Sequence, residues 1–166
     1  MRAQVRTLLV LVVLTSCCAI TPRTFAQAPI GPDPSRTPGA TNPHVTPLNI
    51  LETICVHGWT QTVRPPEDYT NQLKREQLIE WGYKDQEPRD YEEDYLIPLG
   101  LGGDPTSPQN LWPLTLNGRW NAHLKERLED YLHEQVCIGH MSLGEAQRAI
   151  ATDWISAYRR YLGEPK

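Results

Sequence analysis

The stretch from Asp94 to Lys125 constrains the fold more than any other part of the chain. It contains a short apolar run over 95–99, a glycine-rich turn over 100–109 and a second apolar run over 110–114. A helix follows, because apolar side chains then recur at helical spacing: Trp120, Leu124, Leu128, Tyr131 and Leu132. The order strand, turn, strand and helix predicts a ββα unit.

Two further helices are predicted, one on each side of this unit. The first covers residues 69–81 and ends at Gly82. The second begins at a capping box, Ser142-x-x-Glu145, and carries an apolar stripe at helical spacing. We therefore expect an α+β fold, in which one small domain contains the ββα unit and amphipathic helices pack against it.

The composition sets the predicted boundaries of this domain at 48–163, with 164–166 as a C-terminal tail. Two β-type runs, 53–56 and 60–63, predict a hairpin at its beginning. Residues 29–47 contain six prolines among 19 residues, with few side chains that could fill a core. This composition predicts an extended, mostly disordered tether before the domain.

The N-terminus has the pattern of a secretory signal peptide. Basic residues are followed by an apolar run over 8–14, which is far shorter than the roughly 20 residues that span a bilayer. Two cleavage sites fit: a lipobox-like sequence that would place a lipid on Cys17, and an A-x-A site ending at Ala28. We expect a signal peptide over 1–28 and an exported protein without a transmembrane helix. The sequence leaves open whether it is periplasmic, secreted or a membrane-anchored lipoprotein.

Charge and cysteine content restrict the classes of function. The chain has 16 basic and 20 acidic residues, and three of its arginines lie in the predicted signal peptide. Such an acidic domain is unsuited to non-specific nucleic-acid binding, which needs clustered Lys and Arg. After the signal only Cys55 and Cys137 remain, and in an oxidising compartment they predict a disulfide worth about 4 kcal/mol. Two buried free thiols are the alternative.

The amino-acid sequence of the ββα unit points to a protein family. Its two strands and turn read Asp94-Tyr95-Leu96-Ile97-Pro98-Leu99, Leu101-Gly102-Gly103 and Asn110-Leu111-Trp112-Pro113. This sequence resembles that of the HNH, or His-Me finger, nucleases, and more narrowly that of small exported bacterial proteins with an HNH-like domain. The usual motifs of these proteins are an Asp-His-x-Ile-Pro-Leu strand, an LGG turn, an Asn-Leu-Trp-Pro strand and a lysine-bearing helix. The resemblance extends from about residue 53 to residue 161.

The resemblance implies a metal-dependent site that cleaves phosphodiesters of DNA or RNA. One divalent metal (Mg²⁺, Mn²⁺ or Zn²⁺) would be held by Asp94 and by His123 on the helix, with Asn121 as the substitute if the register differs. Asn110 would orient the general base, and Lys125 would contact phosphate. The metal would stabilise the charge that develops on the phosphate and leaving oxygen.

Each of these residues also has a structural alternative. Asp94 ends a run of acids that a solvated surface would explain, and Asn110 could satisfy backbone groups of the turn. His123 could be a surface histidine. Lys125 could pair with Glu129, four residues further along the helix.

The expected general base is replaced. Where the family pattern has His, this chain has Tyr95, and a phenol with a pKa near 10 is only about one part in 10³ ionised at pH 7. His57, His133 and His140 are candidates to substitute for it. Two hypotheses follow: a catalytically degenerate domain that acts as a binding or structural module at the cell envelope, and an active endonuclease with an atypical base. Only the second requires nucleic acid as a partner, and the sequence does not identify the protein partner of either.

Overall fold

A two-stranded antiparallel sheet lies at the centre of the fold. The structure, a computed structural model, describes residues 31–165; the predicted signal peptide, Cys17 and Ala28 lie outside them. Strand β1 is Tyr91–Tyr95 and strand β2 is Leu111–Thr115, with Tyr91 opposite Thr115 and Tyr95 opposite Leu111. The helices in chain order are α1 (Trp59–Val63), α2 (Glu67–Glu80), α3 (Ala122–Cys137) and α4 (Leu143–Leu162). The predicted α+β class is confirmed.

The two faces of β1 are covered by different helices. Successive side chains of a strand point to opposite faces, and here Tyr91 and Tyr95 pack against side chains of α2. Asp94 faces the other way and contacts Lys125 of α3. The hairpin is therefore enclosed between α2 and α3, which buries the acids Glu93 and Asp94 but leaves Glu92 exposed.

The main hydrophobic core lies where α3 and α4 pack against the sheet and the turn that follows β1. The Trp120 ring meets the rings of Trp154 and Tyr158 edge to face. The predicted N-cap is confirmed, because the Ser142 hydroxyl accepts a hydrogen bond from the Glu145 amide at 3.2 Å. No helix of the described chain is both long and apolar enough to cross a bilayer.

Helix α4 is interrupted at Asp153, whose φ of −163° and ψ of 91° are not helical. The Asp153 carboxylate accepts hydrogen bonds from the Ser156 amide and hydroxyl, at 3.0 and 2.7 Å. It thus caps a second helical segment within the same stripe of apolar residues. The sequence pattern predicts one uninterrupted helix, because the apolar spacing continues across the break.

Three predicted strands were misplaced. The runs 53–56 and 60–63 form turns and the short helix α1 instead of a hairpin, because β-branched residues form strands only where a partner strand is available. The strand predicted over 95–99 lies at Tyr91–Tyr95, and the apolar residues after it enter a buried turn. The helices predicted from periodicity and the second strand lie within two residues of their expected limits.

The described part of the proline-rich segment, residues 31–47, packs on the domain. The Asn42 amide donates to the Gly102 carbonyl at 2.8 Å, and the Asp104 amide donates to the Ala40 carbonyl at 2.9 Å. Val45 belongs to the main core. This differs from the disordered tether predicted from composition, because backbone groups paired with the glycine turn supply the contacts that the proline-rich side chains lack.

The predicted disulfide is confirmed. Cys55 and Cys137 are bonded, with their Cα atoms 5.6 Å apart. The bond joins the turn before α1 to the last residue of α3, so it fixes the beginning of the domain against the main core.

Candidate functional site

The side chain of Lys125 is the centre of the site that α3 and β1 build together. It is completely buried, and its Nζ lies 2.8 Å from Asp94 Oδ2, 2.7 Å from the Tyr95 carbonyl oxygen and 2.5 Å from Glu129 Oε1. These three oxygens use all three donors of the ammonium group. The predicted pairing of Lys125 with Glu129 is therefore confirmed, and the pairing with Asp94 is new.

Asp94 is held from both sides. Besides Lys125, the Trp112 indole Nε1 donates to Asp94 Oδ2 at 2.9 Å, from the position opposite in the register of the sheet. Asp94 is only 6% exposed, so it is a buried acid and not part of a solvated charge run. One of its oxygens already has two strong donors.

Electrostatics keep the ammonium charged. Burial lowers the pKa of Lys125, but the carboxylates of Asp94 and Glu129 oppose this and leave its pKa above the ordinary value. Burial raises the pKa of Asp94, and the Lys125 charge works against that shift. At neutral pH a fixed cation therefore lies against the carboxylate that the resemblance assigns to a metal.

Asp94 opens onto a small cavity of about 140 Å³ at the end of β1. Its charged lining residues are Arg64, Glu92, Asp94, Glu126 and Glu129. Acids outnumber the single guanidinium, so the cavity entrance disfavours a phosphodiester unless a metal supplies compensating charge.

Tyr95 lies beside this cavity, but its phenol is directed into an apolar cluster. Its ring packs with Leu99 and Leu111, and the Arg64 guanidinium lies 5.8 Å from the ring centroid. The hydroxyl oxygen is buried and has no hydrogen-bond partner among the described residues. Burial raises the pKa of Tyr95 to about 12, and the nearby Arg64 only partly offsets this. At pH 7 only about one phenol in 10⁵ is ionised.

Asn110 fixes the turn that follows β1. Its side chain is fully buried; Oδ1 accepts from the Ile97 amide, and Nδ2 donates to the carbonyls of Ile97 and Asp104, at 2.9, 2.9 and 3.1 Å. Gly103 is required beside it, since a Cβ there would lie 1.8 Å from the Ile97 carbonyl oxygen. The Asn110 side chain thus hydrogen-bonds backbone groups of the turn, as the structural alternative for this residue predicted.

The structure does not place His123 in the cavity beside Asp94. His123 is exposed and lines a separate open groove of about 560 Å³ with Arg119 and Arg127. On α3 the residues that face the cavity are spaced three and four apart, and His123 lies one residue outside this series. Asn121, the proposed substitute, is the N-cap of α3 and accepts from the Leu124 amide at 3.2 Å.

The residues around Asp94 do not fit a divalent metal. Its Oδ2 contacts an ammonium and an indole N–H, and a divalent cation beside the buried Lys125 ammonium would be repelled by its charge. Within residues 31–165, the one group of three His, Cys, Asp or Glu ligand atoms lying within 4.8 Å of one another is Cys55, His133 and Cys137. Neither Asp94 nor His123 belongs to it.

Glu93 is a buried acid that sequence analysis missed. It is 8% exposed, lies on the α2 face of β1, and neither carboxylate oxygen has a hydrogen-bond partner among the described residues. Burial raises its pKa to about 9, and Asp94 adds to the shift while Lys74 opposes it. No sequence signal marked it, because the acidic run reads as a loop until the structure shows a strand covered on both faces.

The pH dependence of stability tests the state of Glu93. Its pKa is about 4.5 in the unfolded chain and about 9 in the folded one, so the folded state holds the extra proton between these values. The stability that this proton adds to the folded state is fully present below pH 4.5 and is lost as the pH rises towards 9. Glu93→Gln should therefore raise the free energy of unfolding by about 2 kcal/mol at pH 7 and flatten its decline, in urea titrations across this range. Glu80→Gln, an exposed change of the same kind, should alter neither; equal pH profiles for both variants would contradict the assignment.

Comparisons with known proteins add no assignment. The sequence matches no model of a known protein family, no curated protein and no solved structure. The resemblance to the HNH nucleases therefore stays a prediction based on the sequence motifs of the ββα unit.

Proposed function

We propose that this chain is an exported protein whose HNH-like domain has lost hydrolytic activity and acts as a binding or structural module at the cell envelope. The observation that carries the proposal is the buried contact between Lys125 and Asp94. A fixed ammonium there can balance the charge of the carboxylate, but it cannot exchange ligands or activate water as a metal does.

The state of Tyr95 supports the same conclusion. General base catalysis requires a group whose pKa lies near the working pH and which reaches the attacking water. The Tyr95 hydroxyl is buried in an apolar cluster and its pKa is raised to about 12, so it meets neither requirement. The histidines considered as substitutes do not line the cavity.

The scaffold itself is well stabilised. The Asn110 side chain hydrogen-bonds the turn after β1, and the disulfide attaches the turn before α1 to the end of α3. A fold that retains these internal bonds without a competent base suits recognition better than catalysis. The competing hypothesis, an endonuclease with an atypical base, lacks a histidine among the described residues that line the cavity.

A nuclease assay on the unaltered protein tests this proposal. We expect no cleavage of plasmid DNA or of RNA above the buffer rate in Mg²⁺, Mn²⁺ or Zn²⁺. The Tyr95→His variant should also stay inactive, because the Lys125 ammonium still contacts the Asp94 carboxylate that would bind the metal. Tyr69→His, which alters the same apolar cluster, is the matched control.

The outcomes separate the hypotheses. EDTA-sensitive cleavage by the unaltered protein would overturn the proposal and favour the endonuclease. Cleavage by Tyr95→His alone would mean that the missing base is the only defect and that Lys125 leaves room for a metal. Inactivity of all three proteins would support a domain without nuclease function.

A further inference from the structure

A second cluster of reactive side chains lies away from the Asp94 cavity, where the turn before α1 meets the end of α3. It consists of Cys55, His133 and Cys137, whose ligand atoms all lie within 4.8 Å of one another. His133 Nε2 is 3.4 Å from Cys137 Sγ. All three residues are partly exposed, so ions and reductants can reach them.

We propose that this cluster is a redox-gated zinc site. In the oxidised protein the two sulfurs are bonded to each other, and no metal can bind them. After reduction, the thiolates of Cys55 and Cys137 and the imidazole of His133 would bind one Zn²⁺. This inference is independent of the proposed function, because it uses none of the residues around Asp94.

The geometry suits tetrahedral zinc. With Zn–S bonds near 2.3 Å and Zn–N bonds near 2.0 Å, ligand atoms of one site lie about 3.5–3.8 Å apart. The 3.4 Å between His133 Nε2 and Cys137 Sγ is already close to this separation. The two residues are four apart on α3 and share a face. Cysteine Cα atoms 5.6 Å apart leave room for two separate sulfurs on one ion.

The donor set selects the type of metal. Two thiolates and one imidazole favour Zn²⁺ over the hard ions Mg²⁺ and Ca²⁺, which prefer oxygen ligands. Three protein ligands leave a fourth position, which water would fill because the cluster is open to solvent. His133 Nε2 is also 2.8 Å from the Ile54 carbonyl oxygen, and that hydrogen bond would give way when the nitrogen binds metal.

The chemistry of the switch is balanced. A dithiol reductant transfers two electrons and two protons to the Cys55–Cys137 bond, which breaks to give two thiols, while the reductant becomes a disulfide. Zn²⁺ then displaces the two thiol protons as it binds. Because the same two sulfurs serve both states, disulfide and zinc exclude each other.

Zinc binding to the full chain tests the proposal. The protein is reduced without oxygen by a phosphine, which becomes the phosphine oxide and does not compete for metal as a dithiol would. We expect one Zn²⁺ per reduced chain and none per oxidised chain, measured by atomic absorption and by competition with a chromophoric chelator. Co²⁺ bound to the reduced chain should give a thiolate-to-metal charge-transfer band.

Matched variants identify the ligands. His133→Gln should weaken zinc binding about 100-fold, because one of three ligands is lost. His140→Gln, an exposed change three residues beyond Cys137, should leave it unchanged. Equal affinity of the His133→Gln variant and the unaltered chain would overturn the site.

Folding must be followed in the same samples, because unfolded cysteines and histidines also bind zinc. Far-ultraviolet circular dichroism of the zinc-bound reduced chain should match that of the oxidised chain. Zinc bound with loss of helical signal would refute the proposal, as would a reduced chain that takes up no zinc. Oxidised His133→Gln keeps the disulfide and shows whether the substitution alone disturbs the fold.

Discussion

Reduction of the Cys55–Cys137 disulfide in metal-free buffer should lower the free energy of unfolding by about 4 kcal/mol. The two cysteines are 82 residues apart, and release of a loop of this length restores conformational entropy to the unfolded chain. The bond also holds the turn containing Ile54, which is 2% exposed, against the main core. Guanidinium chloride titrations followed by tryptophan fluorescence, with and without reductant, measure the difference.

The double variant Cys55→Ser/Cys137→Ser provides the control. It should be as unstable as the reduced protein, and reductant should not change its unfolding midpoint. If reduction leaves the midpoint of the unaltered protein in place, the bond constrains little and the main core alone sets the stability. Zinc added to the reduced protein should restore part of the loss, since a ligand that binds only the folded state stabilises it.

Replacement of Lys125 by Met should destabilise the protein by about 3–5 kcal/mol at pH 7. The substitution leaves Asp94 buried without its cation, and removal of one partner of a buried ion pair is strongly unfavourable. The bonds from Lys125 to Glu129 and to the Tyr95 carbonyl are lost as well. Chemical unfolding of the two proteins at equal pH and ionic strength measures the effect.

A double substitution separates the charge from the packing. Asp94→Asn/Lys125→Met removes the buried ammonium and the carboxylate paired with it, and should regain part of the lost stability, because the introduced carboxamide needs no compensating cation. The carboxamide oxygen introduced by Asp94→Asn can still accept the hydrogen bond from the Trp112 indole. Lys84→Met, at an exposed lysine, should change the free energy of unfolding by less than about 0.5 kcal/mol. A double variant as unstable as Lys125→Met would show that packing, and not charge pairing, dominates at this site.

Several elements of the fold were readable from local sequence. Helices α2, α3 and α4 follow from apolar periodicity, and Ser142 marks the beginning of α4 through a hydrogen bond to a residue only three positions away. The disulfide was predicted from the count of two cysteines after the predicted signal peptide, and the structure contains it. These signals are reliable because each depends on neighbouring residues or on covalent chemistry.

Strand β1 was hidden because its polar residues are buried. The run Glu92-Glu93-Asp94 has no alternation of apolar and polar residues, so it reads as a loop. In the structure α2 and α3 cover its two faces, and lysine side chains from these helices replace some of the apolar partners that a strand normally has. The placement of residues 31–47 was hidden for a similar reason, because its contacts are backbone hydrogen bonds that composition does not reveal.

The sequence by itself determined helices α2, α3 and α4, the ββα order and the disulfide pair, because these depend on residue identity and short spacing. Only the tertiary structure decided what those residues do. It paired Lys125 with Asp94, which is distant in sequence, turned His123 away from the cavity and buried the Tyr95 hydroxyl. Such outcomes depend on how α3 and α2 pack against the sheet, and side-chain environments, which set pKa values and contacts, exist only after that packing forms.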